Sequence, residues 1–212
     1  MDKFKESDIL NFPDLIKLTT FLFGHKGFIA GGCFKNIFNH EPVKDIDMFF
    51  ESAYDFEVAK NYFRELITVD SKNWQQSYEN KKVWAVYSVE NDVRIELIRS
   101  VFGKPQKIIS DFDFTITKFA FYVDTDKGSP DKYLSEYQVV YHDDFFEHLH
   151  TKRLVIDADI PFPVSTFNRS YKYSSYGYGL CKESKVKLLS AIHDLPALNT
   201  DEIGMSLYDG KD

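Results

Sequence analysis

Two aspartates inside an apolar, strand-like segment are the feature that most constrains the fold of this chain. Asp45 and Asp47 alternate with Ile46 and Met48, in a segment where a strand over residues 46–50 is predicted. Alternate side chains of a strand share a face, so the carboxylates point one way while Ile46 and Met48 point into the core. Carboxylates held side by side repel each other unless cations lie between them. Hard oxygen ligands on one face are typical of Mg²⁺ sites that share the metal with substrate phosphates, and the pattern therefore predicts such a site.

A glycine pair, Gly31 and Gly32, ends the preceding apolar run, in which residues 28–30 are predicted to form a short strand. Glycine allows a backbone to approach a ligand closely and to adopt angles that other residues avoid. A helix is predicted from about Phe34, so its unpaired N–H groups and its dipole would point back at the turn. The glycine pair therefore predicts a triphosphate-binding site beside the aspartate strand. Lys35 can add positive charge to this site.

The order of the other predicted elements favours an α+β fold. Helices are predicted near the N terminus and after the aspartate strand, three strands follow, and the remainder is mostly helical. The predicted helices span residues 13–23, 55–66, 105–112, 142–150, 165–176 and 182–195, and the three strands span residues 83–89, 93–99 and 114–123. This order indicates an α+β head followed by a helical lobe.

The segment GGCFKNIFNHEPVKDIDMFF, residues 31–50, resembles the signature of the DNA polymerase β-type nucleotidyltransferase superfamily. That signature is a glycine pair that opens a helix, followed by Asp-x-Asp at the start of a strand. The GG…DID form is similar to that of CCA-adding enzymes and bacterial poly(A) polymerases. The resemblance implies a polymerase β-like head with a mixed sheet and flanking helices, in which Asp45 and Asp47 hold two Mg²⁺ ions and an NTP.

The resemblance also implies a third carboxylate on a neighbouring strand. Glu96 is the first choice, because it shares one face of the predicted strand VRIELIR with Arg94. Asp113 is the second choice, and its alternative role is that of a turn residue between a helix and a strand. The segment around it, FDFTITKFAF, is similar to uncharacterised nucleotidyltransferase-like proteins of phages and large viruses.

A basic helix is predicted in the C-terminal segment PVSTFNRSYKYSSYGYG. Arg169, Lys172 and Tyr176 follow the spacing i, i+3 and i+7, so they share one helix face. The arrangement resembles the neck helix of CCA-adding enzymes, which implies that Arg169 and Lys172 contact the incoming nucleotide. The alternative is an amphipathic helix whose basic face is solvated.

The charge distribution agrees with this division into two parts. The net charge is −7, yet residues 152–187 carry seven Lys and Arg against three Asp and Glu. A carboxylate site in one part and a phosphate-binding face in another would produce this asymmetry. Two cysteines are too few for a disulfide scaffold. No apolar run is long enough to span a bilayer and the N terminus does not resemble a signal peptide, so we expect a cytoplasmic protein that does not bind membranes.

We therefore expect a nucleotidyltransferase head over residues 1–140, a neck-like lobe over 141–197 and a polar tail over 198–212. The expected activity is Mg²⁺-dependent transfer of a nucleotidyl group from an NTP to an acceptor hydroxyl, with release of pyrophosphate. The resemblance to the neck favours an RNA 3′ end, such as that of tRNA, as the acceptor. The alternatives are a protein or small-molecule acceptor, as in toxin-type and antibiotic-modifying members, and a non-catalytic nucleotide-binding module.

Overall fold

A computed structural model describes residues 3–124 and 136–195. The chain divides into two compact units, unit 1 with residues 1–110 and 117–143, and unit 2 with residues 111–116 and 144–212. The short segment 111–116, which was predicted to belong to the head, is therefore part of unit 2. The predicted tail, residues 198–212, lies outside the described residues. Within the described ranges, no helix is long and apolar enough to cross a membrane.

Unit 1 contains, among the residues described, an eight-stranded mixed sheet in the order β1-β8-β7-β2-β3-β6-β5-β4. All neighbouring strands are antiparallel except β3 and β6, which are parallel. The strands are β1 Phe4–Asp8, β2 Phe28–Ala30, β3 Asp45–Phe49, β4 Trp74–Glu79, β5 Val83–Ser88, β6 Val93–Ile98, β7 Phe119–Val123 and β8 Tyr137–His142. The helices of this unit are α1 Cys33–Phe38, α2 Ala53–Val69 and α3 Pro105–Ser110. A mixed sheet with flanking helices confirms the predicted α+β class.

Aromatic side chains fill much of the core of unit 1, which explains why the sequence contains so many of them. Phe119 of β7 is fully buried, and aromatic rings from other elements of unit 1 lie close to it. The ring centroids of Phe34, Phe38, Tyr141 and Phe12 lie 4.5, 5.3, 5.4 and 5.8 Å from its own. Rings at these separations add favourable quadrupole contacts to the burial of apolar area.

The segment predicted as a helix over residues 13–23 is a 3₁₀ helix, Pro13–Phe21. Its buried residues Leu15, Leu18 and Phe21 recur every third position, which is the period of a 3₁₀ helix. The Asn11 side chain, which precedes this helix, donates to the hydroxyl of Ser7.

The strand predicted over residues 114–123 is only half correct. β7 covers its second half, whereas Thr115–Thr117 form a 3₁₀ turn. The reason is that Phe114 forms a bridge with Ile156 and the Thr115 N–H donates to the Val155 carbonyl, so this stretch pairs within unit 2.

Unit 2 is mostly helical in its described part. Its elements are α4 Phe145–His150, β9 Arg153–Leu154, α5 Pro163–Ser175, β10 Gly179–Leu180 and α6 Lys182–His193. The short strands β9 and β10 are parallel, and Leu154, Tyr178 and Leu188 are buried. α5 begins at Pro163, two residues before the predicted start at Ser165, because proline suits the first turn of a helix.

Candidate functional site

The predicted carboxylates lie side by side on two parallel strands of unit 1. The register of β3 and β6 places Asp45 opposite Arg94 and Asp47 opposite Glu96. Ile46, between the two aspartates, is buried. Residues opposite each other in adjacent strands share a face. Asp45, Asp47 and Glu96 therefore lie on one face of the sheet, and Ile46 lies on the other.

A cation does lie among these carboxylates, and it is the guanidinium of Arg94. Its Nη1 is 2.9 Å from Oδ1 of Asp45 and 3.9 Å from Oε1 of Glu96. Its Nε donates to Oγ of Ser77 at 3.1 Å, and its Cζ is 5.7 Å from the centroid of the Tyr78 ring. The guanidinium is thus held by a carboxylate, a hydroxyl and an aromatic face, with a second carboxylate nearby.

A bulge in β4 brings Tyr78 to the same cluster. The register of β4 against β5 shifts between Gln76 and Tyr78, so Ser77 is the extra residue. Tyr78 then opposes Ala85 on β5, and Ala85 opposes Glu96 on β6. The small side chain of Ala85 leaves space above β5, and the hydroxyl of Tyr78 forms a hydrogen bond with Glu96.

Burial and neighbouring charges shift the pKa values of Glu96 and Tyr78. Burial raises the pKa of Glu96, and the charge of Asp45 raises it further, whereas the Tyr78 hydrogen bond and Arg94 lower it. Burial, followed by the hydrogen bond to Glu96, raises the pKa of Tyr78. Tyr78 therefore remains a hydrogen-bond donor to the Glu96 carboxylate at neutral pH.

The glycine turn approaches the same end of the sheet. β2 and β3 are antiparallel, so the residues after β2 lie beside the start of β3. Gly31 has φ of 103°, a left-handed conformation that favours glycine, while Gly32 has φ of −68° and precedes α1. Burial, and then the charge of Asp47, raise the pKa of the Cys33 thiol, so Asp47 is close to the first residue of α1. A buried thiol of raised pKa is a poor nucleophile, in agreement with a packing role for Cys33.

Lys35 points into the protein. It is buried, and its Nζ lies 2.7 Å from Oε2 of Glu41. Its predicted role at a phosphate stays a prediction, and it would require the ammonium to leave Glu41. α1 is also short, since it ends at Phe38.

A divalent metal fits this cluster in its chemistry but not in its present arrangement. Among the described residues, no group of three or more His, Cys, Asp or Glu side chains is placed to hold a metal ion. Asp45, Asp47 and Glu96 offer the hard oxygen atoms that Mg²⁺ prefers. The obstacle is Arg94, which engages Asp45 and faces Glu96.

Asp113, the second choice for the third carboxylate, lies in unit 2 and pairs with Arg169. Its Oδ2 is 2.8 Å from Nε and 2.6 Å from Nη2 of Arg169, and its Oδ1 accepts from the N–H of Phe114 at 3.0 Å. The Asp113 side chain is 10% exposed. These contacts give Arg169, which lies on α5, a structural partner, whereas Lys172, one turn later on the same helix, is exposed.

Sequence reasoning missed the role of three residues around the carboxylates. Alternation in VRIELIR put Arg94 on the face of Glu96 but did not indicate its pairing with Asp45. Tyr78 and Ala85 carried no signal, because the bulge that brings Tyr78 to Glu96 has no sequence pattern of its own.

Comparison with solved structures identifies the class of fold. A CCA-adding enzyme in apo form I matches 91% of this chain with a TM-score of 0.62 and 15% identity, over 47% of its own length. A CCA-adding enzyme bound to CTP matches 100% of this chain with a TM-score of 0.63 and 13% identity, over 53% of its length. The Thermotoga maritima CCA-adding enzyme complexed with tRNA matches with a TM-score of 0.62 and 15% identity, covering 100% of this chain and 52% of its own. The chain therefore has the nucleotidyltransferase fold of these enzymes and spans about half of their length.

The family model classifies this chain more specifically than its fold does. The model of the Gabija anti-defense 2 family matches residues 3–152, and the chain belongs to this family. A curated relative, "Gabija anti-defense 2" of Bacillus phage SPbetaL7, is 24% identical over 179 residues. That match covers 84% of this chain and 40% of the relative, so the chain spans less than half of the relative's length.

Proposed function

We propose that this chain transfers a nucleotidyl group from an NTP to an acceptor hydroxyl and releases pyrophosphate. The observation that carries the proposal is the register of β3 and β6, in which Asp45, Asp47 and Glu96 share a face beside the Gly31–Gly32 turn. The nucleotidyltransferase fold supports the same activity.

In the proposed site, Asp45, Asp47 and Glu96 hold Mg²⁺. Bound Mg²⁺ would neutralise the charge that develops on the phosphate oxygens. The backbone of Gly31 and Gly32 approaches the phosphates, and glycine is suited to this because no Cβ intervenes. Glu96 is the carboxylate we assign to take the acceptor proton, because burial raises the pKa of its side chain.

We propose a component of the host's antiphage defence as the target of the reaction. The support is membership of the Gabija anti-defense 2 family, together with the name of the phage relative. The reaction would then take place in the cytoplasm of the infected cell. The acceptor is a protein or a small molecule in this proposal.

An RNA 3′ end is the second candidate acceptor. It is supported by fold similarity to a CCA-adding enzyme complexed with tRNA and by the basic segment of unit 2. In this alternative Arg169 and Lys172 contact the nucleotide or the RNA, and Lys172 is the better candidate because Arg169 is paired with Asp113. A non-catalytic nucleotide-binding module is the remaining alternative, favoured by the pairing of Asp45 with Arg94.

The purified protein should be incubated with each α-³²P-labelled NTP, Mg²⁺ and a lysate of host cells that carry the defence system. Label in a band that protease removes identifies a protein acceptor, label that RNase removes identifies RNA, and label in the small-molecule fraction identifies a metabolite. Asp47→Asn is the negative control. NTP binding without label transfer or pyrophosphate release would favour the non-catalytic alternative.

A further inference from the structure

Arg94 is a charged residue of the carboxylate face to which the proposed chemistry gives no role. Its guanidinium is not an incidental surface group, because three different contacts fix its position. Asp45 accepts from Nη1 at 2.9 Å, Ser77 accepts from Nε at 3.1 Å, and Cζ lies over the Tyr78 ring, 5.7 Å from its centroid. The planar fork and delocalised charge of arginine suit this combination of a carboxylate and an aromatic ring.

We propose that Arg94 is a built-in counter-ion that competes with the divalent metal for Asp45. This inference rests on the proposed function, since it concerns the same carboxylates. In the absence of metal the guanidinium balances part of their charge and keeps β3 and β6 paired without repulsion. Metal binding at Asp45 requires Nη1 to withdraw, and the anionic phosphates of a nucleotide would offer the guanidinium a new partner.

The geometry favours displacement of Arg94 from Asp45 by a metal ion over a permanent block of the metal site by Arg94. The side chains of Arg94 and Asp45 are 39% and 50% exposed, so water screens their attraction. A pair of this kind contributes little to stability, and a divalent ion can displace it. Glu96 is only 18% exposed, and Nη1 lies 3.9 Å from it, beyond a hydrogen bond. The competition therefore concerns Asp45 first.

The test is direct binding of Mn²⁺, used as the probe for the divalent site and measured by the electron paramagnetic resonance signal of the free ion without nucleotide. We expect Arg94→Gln to bind Mn²⁺ about two- to fivefold more tightly than the wild type, the range expected on removal of an exposed ion pair. The Mn²⁺ affinity of Arg94→Lys should lie between those of the wild type and Arg94→Gln, because lysine keeps the positive charge but not the planar, forked guanidinium.

Arg99→Gln is the matched control. Arg99 follows β6 directly and pairs with Glu79 at 3.0 Å, but it lies about 16 Å further along the strand. Its substitution should leave Mn²⁺ affinity unchanged. An Asp45→Asn background should cancel the gain of Arg94→Gln, because the Asp45 carboxylate for which Arg94 and the metal compete is then absent.

Two results would overturn the proposal, and they separate it from the proposed function. If Arg94→Gln and the wild type bind Mn²⁺ equally while the wild type also releases pyrophosphate from NTP, Arg94 does not compete and the nucleotidyltransferase site stands. If neither binds Mn²⁺, the carboxylates are not metal ligands, and both the competition and the proposed function fail.

Discussion

Substitution of Arg169 by alanine tests whether this residue supports the fold of unit 2 or contacts a nucleotide. Asp113 accepts two N–H groups from Arg169 and one from the backbone, and only 10% of its side chain is exposed. Arg169→Ala leaves this carboxylate with a single donor. Breaking a fully buried pair costs about 3–5 kcal/mol, and an exposed pair about 0–1 kcal/mol. Since Arg169 is 48% exposed, we expect a loss of about 2 kcal/mol in the free energy of unfolding.

The assay is urea unfolding followed by far-UV circular dichroism. Both tryptophans, Trp74 and Trp84, lie in unit 1, so tryptophan fluorescence would not report on unit 2. The matched control is Lys172→Ala, an exposed substitution one turn away, which should change stability by less than about 0.5 kcal/mol. Asp113→Asn combined with Arg169→Ala should recover part of the loss, because a neutral amide is less costly to bury than a carboxylate. Unchanged stability of Arg169→Ala with a raised KM for NTP would refute this reasoning and favour the nucleotide contact implied by the neck helix.

Three further predictions concern the carboxylates and a partly buried histidine. Asp47→Asn should reduce pyrophosphate release at least ~10²-fold without changing the circular dichroism spectrum, and full activity would contradict the proposed site. Glu96→Gln should reduce pyrophosphate release by a similar factor, whereas Asp113→Asn should leave turnover nearly intact. The reverse ranking would identify Asp113 as the third carboxylate of the site. Burial lowers the pKa of His25 from 6.5 to about 4, so the unfolded chain takes up the proton first as the pH falls. Stability contributed by neutral His25 is complete above pH 6.5 and is lost between pH 6.5 and 4, by about 3 kcal/mol in total. His25→Asn should flatten the urea-unfolding profile in this range, the exposed His193→Asn should not, and an unchanged profile in His25→Asn would show that the histidine is not held neutral.

The parts of the site that depend on alternation could be predicted from the sequence. The side-chain period of a strand is fixed at two, so Asp45 and Asp47 had to share a face once β3 was recognised. The same argument put Glu96 and Arg94 together on β6. Neither argument needs long-range information, because each concerns a single strand.

The parts that depend on strand pairing could not be predicted. β3 and β6 are parallel and separated by α2, β4 and β5, so their register is set by tertiary packing and not by a local turn. β4 was missed altogether, because an exposed edge strand such as WQQSYE lacks apolar alternation. Lys35 illustrates the same limit on a smaller scale. The sequence supplies its charge, but only the folded loop brings Glu41 to 2.7 Å from its ammonium group.

Charge balance leads to a final prediction on metal stoichiometry. Asp45, Asp47 and Glu96 carry three negative charges when ionised, and the guanidinium of Arg94 returns one positive charge to the same face. The excess of two negative charges matches one divalent ion, whereas two ions without an anionic ligand would leave the face strongly positive. The second ion of the expected pair should therefore arrive with the phosphates of the nucleotide. We expect one Mn²⁺ per chain without nucleotide and two with a non-hydrolysable NTP, after correction for Mn²⁺ bound to the nucleotide alone. Two ions bound to the wild type without nucleotide would show that Arg94 does not contribute to the charge of the site.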